Sequence, residues 1–191
     1  DSIFIAENGA KGVYGIDISP VSIDNCIRNA ENAGMLDRIE YQVMDAENTA
    51  YDDNMFDIVT EYGALHHLDL KKSYAEIVRI LKPNGVAICH EALKHNIFIY
   101  LYRKMTPHLR TEWEAEHILG RREIELAKEY FGNVEIRFFH LISLVAVPFR
   151  NTRLFNPVLS LLEKIDDFIL SVPLVRWQAW QIVIILSNPK K

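Results

Sequence analysis

Val13-Tyr14-Gly15-Ile16-Asp17-Ile18-Ser19-Pro20 is the stretch on which the fold is read. Val13, Tyr14 and Ile16 favour a strand. Asp17 ends the apolar run. Ser19 followed by Pro20 is a helix entry: serine can cap the first turn, and proline suits the first helical position because it has no N–H to leave unpaired. The result is a buried strand that stops on a carboxylate and runs into a helix. In open parallel α/β sheets, ligands bind at the carboxyl ends of strands, where an acid commonly grips a ribose diol. The competing reading of Asp17 is that it only helps to cap the helix.

Outward from this stretch the pattern alternates. Asp1 to Asn8 reads as a helix stopped by Gly9. Pro20 to Ala33 is amphipathic, with Ile23, Cys26, Ile27 and Ala30 on one face and Gly34 as its stop. Ile39 to Met44 alternates as a strand and leads into a second acid, Asp45. Thr49 to Asn54 is loop-like, and Phe56 to Thr60 is a third strand. Leu70 to Leu81 is a helix that turns Tyr74, Ile77, Val78 and Leu81 inward. Lys82-Pro83-Asn84-Gly85 reads as a turn before a fourth strand, Val86 to His90. Alternating strands and helices imply a parallel sheet covered by helices on both faces. The chain opens inside a helix, so a preceding strand and glycine-rich loop are expected upstream.

Composition bounds the function. The 191 residues are 49% hydrophobic and 25% charged, as in a folded globular domain. A formal charge of −5 argues against a nucleic-acid partner held by general electrostatics. Cys26 and Cys89 fall in core patterns and make no disulfide framework, which points to a cytoplasmic protein. No uncharged apolar run of membrane-spanning length is present. Nothing in the sequence sets an oligomeric state.

The ordered set GIDIS, VMDAEN, FDIVTEYGALHHLD and EIVRILKPNG resembles the class I S-adenosylmethionine (SAM)-dependent methyltransferases, in particular a small-molecule subgroup that includes quinone-biosynthesis enzymes. The resemblance covers about residues 1–92 and rests most on ALHHLD followed by RILKPNG. It implies a Rossmann-like, doubly wound, mostly parallel α/β sheet with an antiparallel last strand and helical cap insertions. The cofactor it implies is SAM. Asp17 would accept hydrogen bonds from both ribose hydroxyls, and Ile18 would cover the adenine. Asp45 would receive the adenine amino group, with the Ala46 N–H on a ring nitrogen. Glu61 and Tyr62, past the third strand, would lie beside the methionine part. The family's GxGxG loop is absent from this sequence, so SAM binding by residues 1–191 alone is expected to be weak.

Methyl transfer needs alignment of the acceptor and, for a hydroxyl, a general base. His66, His67 and Glu91 sit at strand ends where such a base belongs, histidine being the usual choice near neutral pH. The competing reading is that the histidines order their loop. Other motifs fail. His90-Glu91 with His95 misses the HExxH spacing by one residue, so no metal site is read. Tyr100 and Lys104 have YxxxK spacing without a dinucleotide loop before them. No GxSxG context exists.

The second half is read as Asn96 to Thr106 (aromatic and apolar), Pro107 to Gly120 (polar), a helix from Arg121 to Phe131, a strand from Val134 to Phe139, a long connection and a last strand from Gln181 to Ser187. The whole is read as one domain, 1–191, truncated at its N-terminus. The segments 94–120 and 140–180 are expected to be cap insertions walling an apolar acceptor site. Within the second, the helix from Pro157 is read with Val158, Leu161, Leu162, Ile165, Phe168 and Ile169 inward, and Glu163, Lys164, Asp166 and Asp167 outward. One reading of these helices is that they complete the core; the other is an apolar acceptor pocket or a peripheral membrane-surface contact, with Arg103, Lys104, Arg150 and Arg153 near headgroups. The expected function is methyl transfer from SAM to a small, apolar or lipid-like acceptor. The alternatives are a degenerate, non-catalytic relative that only binds, or an NAD-linked oxidoreductase on a similar sheet.

Overall fold

In the computed structural model, which describes residues 2–106, 108 and 118–191, the opening stretch is a strand that runs into a helix as read, but the strand is half-buried to exposed rather than buried. The chain divides into two units, Asp1–Tyr51 and Asp52–Lys191. Of the sequence readings, the helix start at Asp1 and most of the polar Pro107 to Gly120 segment lie outside the described residues.

The first unit runs α1 (Ser2–Glu7), β1 (Val13–Asp17), α2 (Pro20–Asn32) and β2 (Ile39–Val43). Ser19 caps α2 by accepting the Ser22 N–H at 3.3 Å, and Pro20 takes the first helical position. β1 and β2 pair in parallel with Asp17 opposite Val43. Ala6, Ala30 and Ile39 are buried, with Ile3, Val13, Met35 and Tyr41 packed on them. Gly15 lies opposite Tyr41, and a Cβ there would come within 2.6 Å of the tyrosine ring. The strand therefore needs glycine at this point because the ring occupies the space a side chain would take.

The second unit holds β3 (Phe56–Tyr62), α3 (Leu70–Ile80), β4 (Leu81–Ala92), α4 (Ile97–Met105), α5 (Arg121–Glu125), α6 (Ala127–Tyr130), β5 (Phe131–Phe139), α7 (Phe155–Leu170) and β6 (Gln181–Pro189). Its sheet has the order β3-β4-β6-β5. β3 and β4 are parallel, and β6 runs antiparallel to both β4 and β5. The last strand is thus the reversed one, as the resemblance implies. α3 buries Tyr74, Ile77 and Val78 against a core that includes Leu65, Ala87, Cys89, Phe131, Ile182, Ile184 and Leu186.

Several boundaries differ from the sequence reading. Lys82 to Gly85 do not end an element. They bulge within β4, since Leu81 pairs with Phe56 and Val86 already pairs with Ile58. A Cβ on Gly85 would meet Leu81 Cδ2 at 2.8 Å and the Lys82 carbonyl oxygen at 3.0 Å, so the bulge closes on a bare backbone. The helix read as Arg121 to Phe131 is two short helices, and Phe131 already belongs to β5. α7 starts at Phe155, ahead of Pro157.

The largest correction is on α7. Asp166, read as part of the polar face, is buried, while Leu161 and Phe168, read as inward, are exposed. The reason is a backbone demand. After β5 the chain turns sharply, and the N–H groups of Leu141, Ile142 and Ser143 all donate to the Asp166 carboxylate, at 2.9, 2.7 and 3.1 Å. Burial raises the carboxyl's pKa, but the Ser143 side chain and these N–H groups outweigh it and hold Asp166 below the ordinary aspartate value.

Candidate functional site

In the first unit, Asp17 is the last residue of β1 and Asp45 follows β2 by two residues. Parallel pairing puts both acids at the carboxyl end of the same pair of strands. Both are exposed. Asp17 Oδ1 accepts the Ser19 N–H at 2.8 Å, and Asp45 Oδ1 accepts the Glu47 N–H at 2.8 Å. These local turns orient the carboxylates and leave Oδ2 of each without a protein partner among the described residues. The cap of α2 is Ser19, so Asp17 is not consumed by capping. Ile18 stands out from the surface with 74% of its area exposed, and Ala46 is half-buried beside Asp45.

In the second unit, Glu61 and Tyr62 are the final residues of β3, inside the strand rather than past it. Pleating sends them to opposite faces. Tyr62 is exposed and stacks on His90, rings 4.5 Å apart and within 5° of parallel. Glu61 pairs in register with Cys89 of β4. Its Oε2 accepts the Ala64 N–H at 2.8 Å, and its Oε1 is buried without a partner. Burial, and after it the charge of Glu91, push the Glu61 carboxyl up to about 8.

Glu91 lies near the end of β4, its side chain 0% exposed. It meets His66 twice: Oε2 stands 2.8 Å from Nδ1, and Oε1 accepts the His66 backbone N–H at 3.3 Å. His67 is exposed, its ring tilted against that of His66 at 4.1 Å. The structure thus brings Glu61 and His66 together around the buried Glu91 and leaves His67 outside the cluster. Burial also raises the Cys89 thiol and the Tyr74 hydroxyl, which belong to the same core face. His66 borders a cavity of about 110 Å³ lined by Leu65, Leu68, Leu70, Leu119 and Glu123.

The reading of residues one by one missed this pairing. The signal was the parity of β4: Cys89 and Glu91 share a face, and that face is the buried one. Among the described residues no group of His, Cys, Asp and Glu is arranged to hold a metal ion.

Residues 2–89 match the family described as a methyltransferase domain. A sterol 4-C-methyltransferase from Caenorhabditis elegans is 28% identical over 132 residues, 65% of this chain and 38% of that protein. A demethylmenaquinone methyltransferase from Symbiobacterium thermophilum is 34% identical over 95 residues, 49% of this chain and 37% of that protein. The chain spans half or less of the length of these curated relatives. Among solved structures, the geranyl diphosphate C-methyltransferase of Streptomyces coelicolor, in complex with Mg2+, geranyl diphosphate and S-adenosyl-L-homocysteine, has a TM-score of 0.63 at 14% identity, covering 97% of this chain and 68% of that one. The fold is therefore the Rossmann-like fold of such enzymes. Residues 2–89 thus match a methyltransferase domain, and the curated relatives they resemble are methyltransferases named for a sterol and for demethylmenaquinone.

Proposed function

We propose that this protein transfers a methyl group from SAM to a small acceptor with an apolar body. The observation that carries the reading is the pair Asp17 and Asp45, exposed at the carboxyl end of two parallel strands, each with one oxygen unengaged. These residues fit the nucleoside end of SAM. A carboxylate accepts from both hydroxyls of a vicinal diol, and a second one suits an exocyclic amine. Ile18 supplies an apolar surface for the adenine ring, and the Ala46 N–H a donor for its edge. When bound, SAM supplies an electrophilic methyl group on a sulfonium. The chain's own part is to bind and orient that group, to exclude water and to accept a proton.

An apolar acceptor is supported by the segments after β4 and β5. α4 exposes Ile97, Phe98, Tyr100, Leu101, Tyr102 and Met105, with Phe98 67% exposed. Tyr100 and Tyr102 are exposed rather than packed into the core, as are Phe149 and Leu154. A surface this rich in apolar groups suits a lipophilic ligand or a peripheral membrane contact, helped by Arg103 and Lys104 in the last turn of α4. The sterol and quinone named for the relatives agree in character. Among the described residues no helix is long and apolar enough to cross a membrane.

The test is a SAM titration followed by heteronuclear NMR, which also reads weak binding. The amides of residues 17, 18, 45 and 46 should shift. Asp17→Ala should weaken binding by roughly 1–3 kcal/mol through lost charge-assisted hydrogen bonds. Silent amides at these four positions in millimolar SAM would sink the assignment.

A further inference from the structure

Resting on the methyl-transfer reading, we propose that Glu91 is a positioning residue that fixes the proton of His66 on Nδ1, leaving Nε2 as the atom that takes the acceptor's proton. The geometry starts from Glu91. Its side chain is fully buried, so it cannot itself reach an acceptor. Both of its oxygens face His66, one at the ring Nδ1 and one at the backbone N–H. A carboxylate only accepts hydrogen bonds. Nδ1 therefore carries the hydrogen, and the neutral ring keeps its lone pair on Nε2. The backbone contact, at 3.3 Å, ties the Leu65–His67 turn to the same carboxylate, so ring and turn are oriented together.

His66 is suited to the task in a way His67 is not. Its side chain is 18% exposed and borders the cavity of about 110 Å³, which is lined by leucines and Glu123. His67 has no carboxylate partner among the described residues. Glu61 stands beside Glu91, and burial, followed by the charge of Glu91, favours the protonated form of Glu61. In the proton step, the acceptor's O–H bond breaks and its hydrogen joins Nε2. The electron pair stays on the acceptor oxygen, and the resulting imidazolium is paired with Glu91.

Glu91→Gln tests this at constant shape. The His66 backbone N–H can bond only to the new side chain's oxygen. The amide NH2 then faces Nδ1, which must accept, and the ring proton moves to Nε2. In the full chain, nitrogen-15 NMR of the imidazole should show the Nδ1–H tautomer in the wild type and the Nε2–H tautomer in Glu91→Gln. The same tautomer in both, or Nε2–H already in the wild type, overturns the proposal. With SAM and 1,4-naphthalenediol as the probe acceptor, the variant should lose about 100-fold or more in rate at unchanged SAM affinity. A flipped tautomer with an unchanged rate also overturns it. A wild type that methylates nothing counts against the methyl-transfer reading, while the NMR comparison still decides the pairing.

Discussion

Glu61 and Tyr74 each bury a polar atom without a partner, Oε1 in one and the hydroxyl in the other. An unpaired buried hydroxyl is a net cost, so Tyr74→Phe should leave stability unchanged or raise it by about 1 kcal/mol, as read by urea denaturation. The ring packs edge-on against Phe131 and tilted against Tyr130, and phenylalanine keeps both contacts. Glu61 has a different signature. Its carboxyl is raised from 4.5 to about 8, so the fold favours the protonated form. That contribution is fully present below 4.5, falls as pH rises and is lost by about 8. Glu61→Gln, permanently neutral, should flatten the decline of stability between pH 5 and pH 8. Denaturation curves for wild type and variant that stay parallel across this range would contradict the assignment.

At the scale of elements, single residues decide where strands and turns can close. Asp166 gathers three backbone N–H groups after β5. Asp166→Asn puts an amide against donors and should cost about 1–3 kcal/mol. Because the folded carboxyl lies below its ordinary 3.8, its contribution is present above that value and is lost as pH falls through the folded value. The difference between wild type and Asp166→Asn should therefore shrink in acid. Gly85→Ala adds a methyl where Leu81 Cδ2 and two carbonyl oxygens, of Lys82 and Asp57, already stand. Overpacking against backbone should cost about 1–3 kcal/mol in a thermal melt, more than an exposed Gly→Ala change.

At the scale of the whole chain, the two units differ in what holds them. The second has a four-stranded sheet with a continuous core on one face. The first has a two-stranded sheet and a cluster of three buried residues, Ala6, Ala30 and Ile39. A small unit buries a smaller fraction of its surface, and two strands alone are marginal. Native-state hydrogen exchange should therefore find the amides of β1 and β2 opening at lower free energy than those of β4 and β6. Equal protection in both would show that the first unit draws more stability from its surroundings than its own packing suggests.

Much of the fold was legible in the sequence, for a local reason. The strand ending on Asp17, the Ser19–Pro20 cap and the inward face of α3 depend on period and on residues next to one another. The acids Asp17 and Asp45 were legible as candidates because each terminates a strand, a position readable along the chain. Parallel pairing then set them side by side. What only the tertiary structure decided involves partners far apart in sequence. Asp166 looked like a solvated helix charge until the turn after β5 claimed it, about 24 residues away along the chain. The exposed faces of α4 and α7 could not be told from core by hydrophobicity, because apolar period says which residues share a face and not what covers that face. Glu91 and His66 were each visible as an acid and a base. Their union, 25 residues apart, came from β4 burying the carboxylate beside a turn whose own backbone N–H needed an acceptor.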